Sequence, residues 1–423
     1  MDQGARGEKL MPIRPLFRQL TRLYGAALDN APNLYVPLKS SLLVEKGIYG
    51  GELEQTQRDE TIYPQVTLTT GEEWTGKTIK VVDAVIGQEA TGLLIEDAGA
   101  TDLSEDQYNL ASGAGIWGRI GTFDDDVHGQ DDPYGGTDAV LWKPTSDDAS
   151  RIADTGVDCD GKYCYAGIWI RAETGSHDCV VGLIREGEVT VDHSETYTLT
   201  TDWQWAWVYG QMSAGTADLV FVVRPEDGGQ SNVIVYLPHA EVDTRVRRNP
   251  IKGTRTNADL VQIDWPNDLI DIQSQGTIYM EVFPLFDVDD GDGHFNFWIN
   301  NIDGSGGYAY SVKDGSRRLS WVVVGDNGSV VTRDTVAVAD FAPLQWHKLA
   351  FYWSSDGTGI VLDGTDFVSG DPVTDALFND PPNNPVLYLG NRASGGDPIS
   401  SLITNFRAYD RALSVSELEE MTS

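Results

Sequence analysis

Leu387-Tyr-Leu-Gly390, Thr404-Asn-Phe-Arg-Ala-Tyr-Asp-Arg-Ala-Leu413 and Ser416-Glu-Leu-Glu-Glu420 close the chain, preceded by Trp346-His-Lys-Leu349 and Leu362-Asp-Gly364. Short apolar and aromatic stretches punctuated by Gly and Asp are strand and turn sequence, so the run reads as the closing hairpin of a β-sandwich. Asp363-Gly364 suits a tight turn. Ser414, with Glu417 three residues on, carries the capping-box pattern and predicts a final helix over 414–421.

Working outward, the same grammar fills 253–423. Thr277-Ile-Tyr-Met-Glu-Val-Phe283, Phe295-Asn-Phe-Trp-Ile299, Tyr308-Ala-Tyr-Ser-Val312, Leu319-Ser-Trp-Val-Val-Val324 and Gly359-Ile-Val-Leu-Asp-Gly364 supply further strands. With the closing run they resemble the laminin-G-like and pentraxin-like lectin domains, which implies a concanavalin-like sandwich. Residues 110–246 offer eight candidate strands at sandwich spacing, among them Ala139-Val-Leu-Trp-Lys143, Cys164-Tyr-Ala-Gly-Ile-Trp-Ile-Arg-Ala172, Thr196-Tyr-Thr-Leu-Thr200 and Val233-Ile-Val-Tyr-Leu237. They predict a two-sheet jelly roll, and their order resembles non-catalytic carbohydrate-binding modules. A basic linker, Arg245-Val-Arg-Arg-Asn-Pro-Ile-Lys252, separates the two.

Residues 31–109 are also strand and turn sequence. Ala31-Pro-Asn-Leu-Tyr-Val-Pro-Leu38, Leu43-Val-Glu-Lys-Gly47, Gly92-Leu-Leu-Ile-Glu-Asp97 and Leu103-Ser-Glu-Asp-Gln-Tyr108 resemble the head-proximal portion of tailed-virus fibre and structural proteins. The pattern departs at Gly99-Ala-Thr-Asp102, where the usual Arg-Thr-Asn is missing. Residues 1–30 are net basic through Arg6, Lys9, Arg14, Arg18 and Arg22, and Leu16, Leu20, Leu23 and Ala27 recur at helical spacing. They read as a short helical anchor, or as a frayed terminus. The fold class expected is all-β and multi-domain: anchor 1–30, β-rich connector 31–109, jelly roll 110–246 and lectin-like sandwich 253–423.

Composition narrows the function classes. A net charge of −35, from 65 acidic against 30 basic residues, repels phosphate backbones and anionic membranes, which argues against nucleic-acid binding. No apolar stretch approaches the roughly 20 residues that span a bilayer, and residues 1–11 lack the apolar core of a signal peptide. Twenty Arg against ten Lys, with Asp-rich loops, suit a surface hydrated in high salt, a halophilic setting; an ordinary acidic virion or secreted protein is the alternative. Three cysteines cannot all pair within one chain. Cys159 and Cys164 are placed to close a hairpin, leaving Cys179.

Candidate sites come from the side chains. In Trp203-Gln-Trp-Ala-Trp-Val-Tyr209, strand alternation puts Trp203, Trp205, Trp207 and Tyr209 on one face. That face is either a carbohydrate-binding strip, since ring faces stack on sugar C–H surfaces, or the core of the jelly roll. Trp298, Trp321 and Trp353 carry the same choice. Two loops hold enough oxygens for a hard cation such as Ca2+: Asp124, Asp126 and Asp131 in one, Asp287, Asp289 and Asp292 in the other. Each also reads, and more simply, as a solvated acidic loop. Asn327-Gly-Ser329 is a glycosylation-acceptor triplet.

Catalysis finds no signature. Concanavalin-like glucanases carry a Glu-x-Asp-x-x-Glu run, and here Glu241-Val-Asp243 is followed by Val246. No nucleophile elbow, zinc helix or phosphate loop occurs, and the six His are scattered singly. The resemblances together imply a non-enzymatic virion protein: a surface adhesin of a tailed virus binding host glycans or glycoproteins, held to other virion proteins by its N-terminus, homo-oligomeric and located on the particle surface. A purely architectural capsid decoration, turret or tail component is the competing class, and a glycan-degrading enzyme a distant third.

Overall fold

The computed structural model describes residues 34–36, 53–56, 66–67, 78–79, 81–85, 88–95, 117–133, 135–146, 150–188, 191–225, 231–244, 260–264, 275–286, 294–301, 308–313, 319–324, 330–334, 341–369, 385–391 and 399–423. The anchor helix, the basic linker, Asp287, Asp289, Asp292, the Asn327 triplet and the 97–109 part of the virus-like stretch lie outside these residues.

The described chain is almost wholly strand. Six strands come first: β1 (Leu34–Val36), β2 (Leu53–Thr56), β3 (Val66–Thr67), β4 (Thr78–Ile79), β5 (Val81–Val85) and β6 (Gln88–Ile95). Ten follow: β7 (Trp117–Ile120), β8 (Val127–Gln130), β9 (Ala139–Trp142), β10 (Ser150–Asp158), β11 (Tyr163–Ala172), β12 (His177–Arg185), β13 (His193–Leu199), β14 (Gln204–Gln211), β15 (Asp218–Pro225) and β16 (Val233–Val242). The last set is β17 (Leu260–Asp264), β18 (Gly276–Pro284), β19 (His294–Asn301), β20 (Tyr308–Lys313), β21 (Leu319–Val324), β22 (Val330–Asp334), β23 (His347–Ser354), β24 (Gly357–Leu362), β25 (Thr365–Ser369), β26 (Pro385–Leu389) and β27 (Ser401–Tyr409). A single described helix, α1 (Val415–Thr422), ends the chain.

Strands β7 to β16 form two five-stranded sheets, ordered β13-β12-β15-β10-β7 and β14-β11-β16-β9-β8. Their inner faces meet in a core that includes Trp142, Ile168, Ile170, Leu183, Val208 and Phe221. Sequence reading finds eight of these ten strands. It passes over β8 and β10, whose residues Val127-His-Gly-Gln130 and Ser150-Arg-Ile-Ala-Asp-Thr-Gly-Val-Asp158 show no apolar alternation. β10 and β11 lie in different sheets, so the turn between Cys159 and Cys164 is an arch across the sandwich and not a hairpin. None of the three cysteines is in a disulfide, and all three are buried.

The second sandwich pairs an eight-stranded sheet, β25-β24-β23-β18-β27-β6-β5 with β1 also on β27, and a seven-stranded sheet, β2-β17-β26-β19-β20-β21-β22. The closing hairpin expected from sequence is corrected here. β26 sits between β17 and β19 in one sheet while β27 sits between β18 and β6 in the other, so the segment joining them also crosses the sandwich. Leu387 and Leu389 from one side, and Leu402, Ile403 and Phe406 from the other, enter the same core as Phe297, Trp321, Phe351 and Trp353. Trp321 and Trp353 are therefore core residues. The stretch read as a connector supplies strands to this sandwich: β1 pairs with β27 through Leu34 to Ala408, β6 pairs with β27 through Ile95 to Ser401, and β2 pairs with β17. The jelly roll is thus inserted between two runs of strands that build one sandwich.

Local chemistry behaves as read. Asp363 (φ 47°) and Gly364 (φ 77°) make the two-residue turn between β24 and β25, both with the positive φ that a type I′ turn demands. The Asp363 carboxylate accepts from the Lys348 backbone N–H at 2.8 Å and from His347 Nδ1 at 2.7 Å, tying the turn to β23. At α1, the Ser414 hydroxyl accepts from the Glu417 N–H while the Glu417 carboxylate accepts from the Ser414 N–H at 2.7 Å. Those bonds from Ser414 hold the Glu417 carboxyl below its ordinary range. Leu418 then packs with Tyr279, Tyr352 and Tyr409 on the outer face of the eight-stranded sheet.

Two outcomes follow for stability. Ser414→Ala is expected to cost about 1 kcal/mol in denaturant melts, and Glu417 contributes stability above the ordinary carboxylate range that is lost as pH falls through its lowered value. At the alkaline end, burial chiefly, with Cys159 beside it, pushes Cys164 from 9.0 up to about 12. A raised value means its contribution is complete below about pH 9 and disappears as pH climbs toward 12; thermal melts across this window should show a shallower decline for Cys164→Ala.

Candidate functional site

The faces of the jelly-roll sheet β14-β11-β16-β9-β8 decide where its aromatic residues go. In β11, Cys164, Ala166, Ile168, Ile170 and Ala172 point into the jelly-roll core, and in β14 Ala206 and Val208 do the same. The alternate residues therefore face outward: Tyr165, Gly167, Trp169 and Arg171 from β11, and Trp205, Trp207 and Tyr209 from β14. The aromatic face proposed from sequence exists, and it is not the core of the jelly roll. These two strands send small and β-branched residues inward and their bulky rings to the other side.

Antiparallel register sets the rings side by side. Trp169 lies opposite Trp205, Gly167 opposite Trp207 and Tyr165 opposite Tyr209. Ring centroids are 5.7 Å apart for Trp169 and Trp205, 6.0 Å for Tyr165 and Trp207, and 5.7 Å for the stacked pair Tyr163 and Tyr209. At one end the Arg171 guanidinium lies over the Trp203 ring, 5.2 Å from its centroid. Gly167 makes the packing possible, because a Cβ there would stand 2.4 Å from Cζ2 of Trp205. With no side chain in the way, the Trp205 indole lies across the strand and its Nε1–H donates to Tyr165 Oη at 2.9 Å.

Strand β16 adds polar groups to the same face through a bulge. Gly167 pairs with His239 and Trp169 with Tyr236, so Leu237 and Pro238 together oppose one residue of β11, and Leu237 takes φ 48° to do so. The extra residue flips the alternation. Tyr236, His239 and Glu241 consequently all face outward, where His239 Nε2 lies 2.7 Å from the Glu241 carboxylate. Without the bulge His239 and Glu241 would point into the apolar core.

The face is a shelf with one closed side. Toward β16 and β9 it is covered: Leu141, Tyr165, Trp205, Tyr236 and Leu237 are buried in one contiguous cluster that also contains the core of the second sandwich. Toward β14 it stays half open, with Trp169, Arg171, Trp203, Trp207 and Tyr209 each partly exposed. Strand β14 is an edge strand, and its backbone is sealed from the opposite sheet. Tyr197 of β13 donates its hydroxyl to the Trp207 carbonyl at 2.6 Å and accepts from the Trp207 N–H at 3.0 Å. Burial pushes the Tyr197 phenol up to about 12, in keeping with its work as a donor.

The other predicted residues are placed differently. Asp124 and Asp131 are exposed and Asp126 half-buried, and strand β8, pairing with β9, runs between Asp126 and Asp131. Four extended residues span about 13 Å, so the three carboxylates do not sit in one loop. The neighbouring Asp132 instead staples its own turn, accepting from the Gly136 N–H at 3.0 Å. Among the described residues no three Asp, Glu, His or Cys side chains converge on a metal position. Sequence reasoning missed Trp169, Tyr165, Arg171, His239 and Glu241 as companions of the Trp203–Tyr209 strip, because their signal lies in pairing between distant strands.

Comparison with known proteins bears on the second sandwich. Residues 262–419 match the family model of the concanavalin A-like lectin/glucanases superfamily, which is less than half of the chain. No curated protein sequence matches. Similar solved structures include the Ruminococcus gnavus IT-sialidase module CBM40 bound to α2,3-sialyllactose, with 14% identity, TM-score 0.29, and coverage of 36% of this chain and 84% of that one. The native heptameric SAP-like pentraxin from Limulus polyphemus has 12% identity, TM-score 0.27, and coverage of 36% and 70%. The botulinum neurotoxin serotype D binding domain has 11% identity, TM-score 0.31, and coverage of 40% of each chain. At these scores no residue role or ligand passes from those structures to this chain.

Two substitutions probe how the shelf is held. Gly167→Ala drives a methyl group into the Trp205 indole, and overpacking of this kind costs about 1–3 kcal/mol; lower thermal stability and a changed near-UV tryptophan spectrum are expected. Tyr197→Phe leaves both backbone groups of Trp207 without their hydroxyl partner, at about 1–3 kcal/mol, and faster amide exchange along β14 would report it.

Proposed function

We propose that this chain is a glycan-binding protein whose jelly roll holds saccharide on the half-open shelf of Trp203, Trp169, Trp207 and Tyr209. The observation that carries the reading is an outward aromatic row with a buried polar floor. From Trp203 to Tyr209 the strand runs about 20 Å, long enough for several sugar rings, and the ring faces offer the stacking surface that sugar C–H groups use. Tyr165, His239 and Glu241 beneath them are pre-oriented by their own contacts, so little ordering is lost on binding. The lectin-superfamily match of the second sandwich supports a binding role for the molecule as a whole.

The finer reading concerns the setting. We place the chain on the surface of a tailed-virus particle, as an adhesin for host glycans or glycoproteins, on the strength of the sequence resemblance in 31–110 and the acidic, Arg-rich composition. Several copies held on one particle would raise avidity by linking weak contacts without improving any single one.

The full-length protein, applied to a glycan array at low and at high salt, is expected to bind a limited set of saccharides. Trp207→Ala and Trp169→Ala should each weaken binding about two- to tenfold, the range for loss of one aromatic contact. Unchanged binding in both variants removes the shelf as the site. Release of oligosaccharide from a bound glycan would replace binding with hydrolysis, and failure to bind any glycan, together with a lattice contact in the particle, would favour the architectural role.

A further inference from the structure

Among the described residues the shelf carries one arginine, Arg171. Arg171 follows Trp169 outward on β11, and its guanidinium stacks on the Trp203 indole, 5.2 Å from the ring centroid. Among the described residues, no carboxylate lies within ion-pair distance of Arg171, and its Nε is buried with no hydrogen-bond partner. In a chain with 65 acidic side chains against 30 basic ones, an arginine that meets an aromatic ring instead of a carboxylate is placed there by the fold. The nearest acidic residue in sequence, Glu173, just past the end of β11, accepts from Asn232 Nδ2 at 2.7 Å.

Stacking uses the flat face of a guanidinium and leaves the N–H groups at its rim directed sideways. That rim is the fork that takes a carboxylate by two parallel hydrogen bonds, and Arg is the side chain best shaped for it. Trp169, one step along the same strand, supplies a ring for the sugar that bears the acid. We propose, resting on the shelf being the glycan site, that its ligand is a carboxylate-bearing glycan, with a uronic acid seated against Trp169 and its carboxylate received by Arg171.

The net charge of the chain opposes an anionic ligand at long range and does little at contact. Between exposed charges the repulsion is screened beyond about 10 Å at 0.1 M salt, whereas the Arg171 contact is direct. Acidic glycans are therefore expected to associate more readily as salt rises from very low values, the reverse of what a basic binding surface shows.

The test uses full-length protein and oligosaccharides of glucuronate, galacturonate and mannuronate, each paired with its carboxyl-reduced, neutral counterpart, in calorimetric titrations. At least one acidic member should bind ten times or more tighter than its reduced twin. Arg171→Gln should erase that ratio while leaving binding of the neutral twin in place, and Arg171→Lys should retain part of it. Equal affinity for acid and reduced forms, a preference that survives Arg171→Gln, or binding confined to neutral glycans overturns the assignment while leaving the shelf as a glycan site. Absence of binding to any saccharide, acidic or neutral, overturns the shelf reading itself and this one with it. Circular dichroism melts of both variants separate loss of the contact from loss of the fold.

Discussion

The indole of Trp205 lying across Gly167 organises the outer face of the jelly roll. A side chain at 167 would bring a Cβ to 2.4 Å from the ring, so the arrangement exists only with glycine there. Once flat, the indole reaches Tyr165 with its N–H. Trp169 and Trp207 then rest beside it as a second, more exposed tier. The second sandwich uses the same device: a Cβ on Gly276 would stand 2.3 Å from Cζ2 of Trp353. There the ring is wholly inside the core, and the device serves packing alone.

The bulge at Leu237 is the second determinant of the face. A non-glycine residue at positive φ carries backbone strain of order 1–3 kcal/mol, and here it persists because the flanking ladders of β16 with β11 and β9 hold both ends. What the strain secures is polarity on an apolar sheet: His239 and Glu241 appear on the same side as the tryptophans. A comparable kink occurs at Asn405 (φ 50°) in β27, opposite the register shift in β18. In both of these cases the kinked strand is a central one, where bending alters which residues face outward.

How much of this was legible in the sequence follows physical range. Devices built within a few residues were readable, because their chemistry is local: the Ser414–Glu417 box, the Asp363-Gly364 turn, and the shared side of Trp203, Trp205, Trp207 and Tyr209. Pairings between distant strands were not. Nothing in Leu387-Tyr-Leu-Gly390 tells that it joins the sheet opposite Thr404–Tyr409, and nothing in Leu34-Tyr-Val36 names β27 as its partner. β8 and β10 escaped because edge exposure and a bulged register leave them without apolar alternation. The choice between core and binding strip for the Trp203–Tyr209 run needed the partner sheet, since alternation gives sides without saying which is inside.

The insertion of the jelly roll into the second sandwich has a consequence for the order in which the protein assembles. Every jelly-roll pairing lies between 117 and 242, so this unit has all its strand partners once that stretch of chain exists. The eight-stranded sheet is different, for β1 and the edge of β6 that β5 leaves open pair with β27, more than 300 residues later in the chain. During synthesis from the N-terminus, those early strands must wait with open edges while the jelly roll folds between them. Such long-range closure is slow and leaves exposed strands prone to pairing wrongly. A chain made as far as β16 therefore has a jelly roll with every ladder in place, while the sandwich around it still lacks β27, the strand on which β1, β6 and β18 all pair.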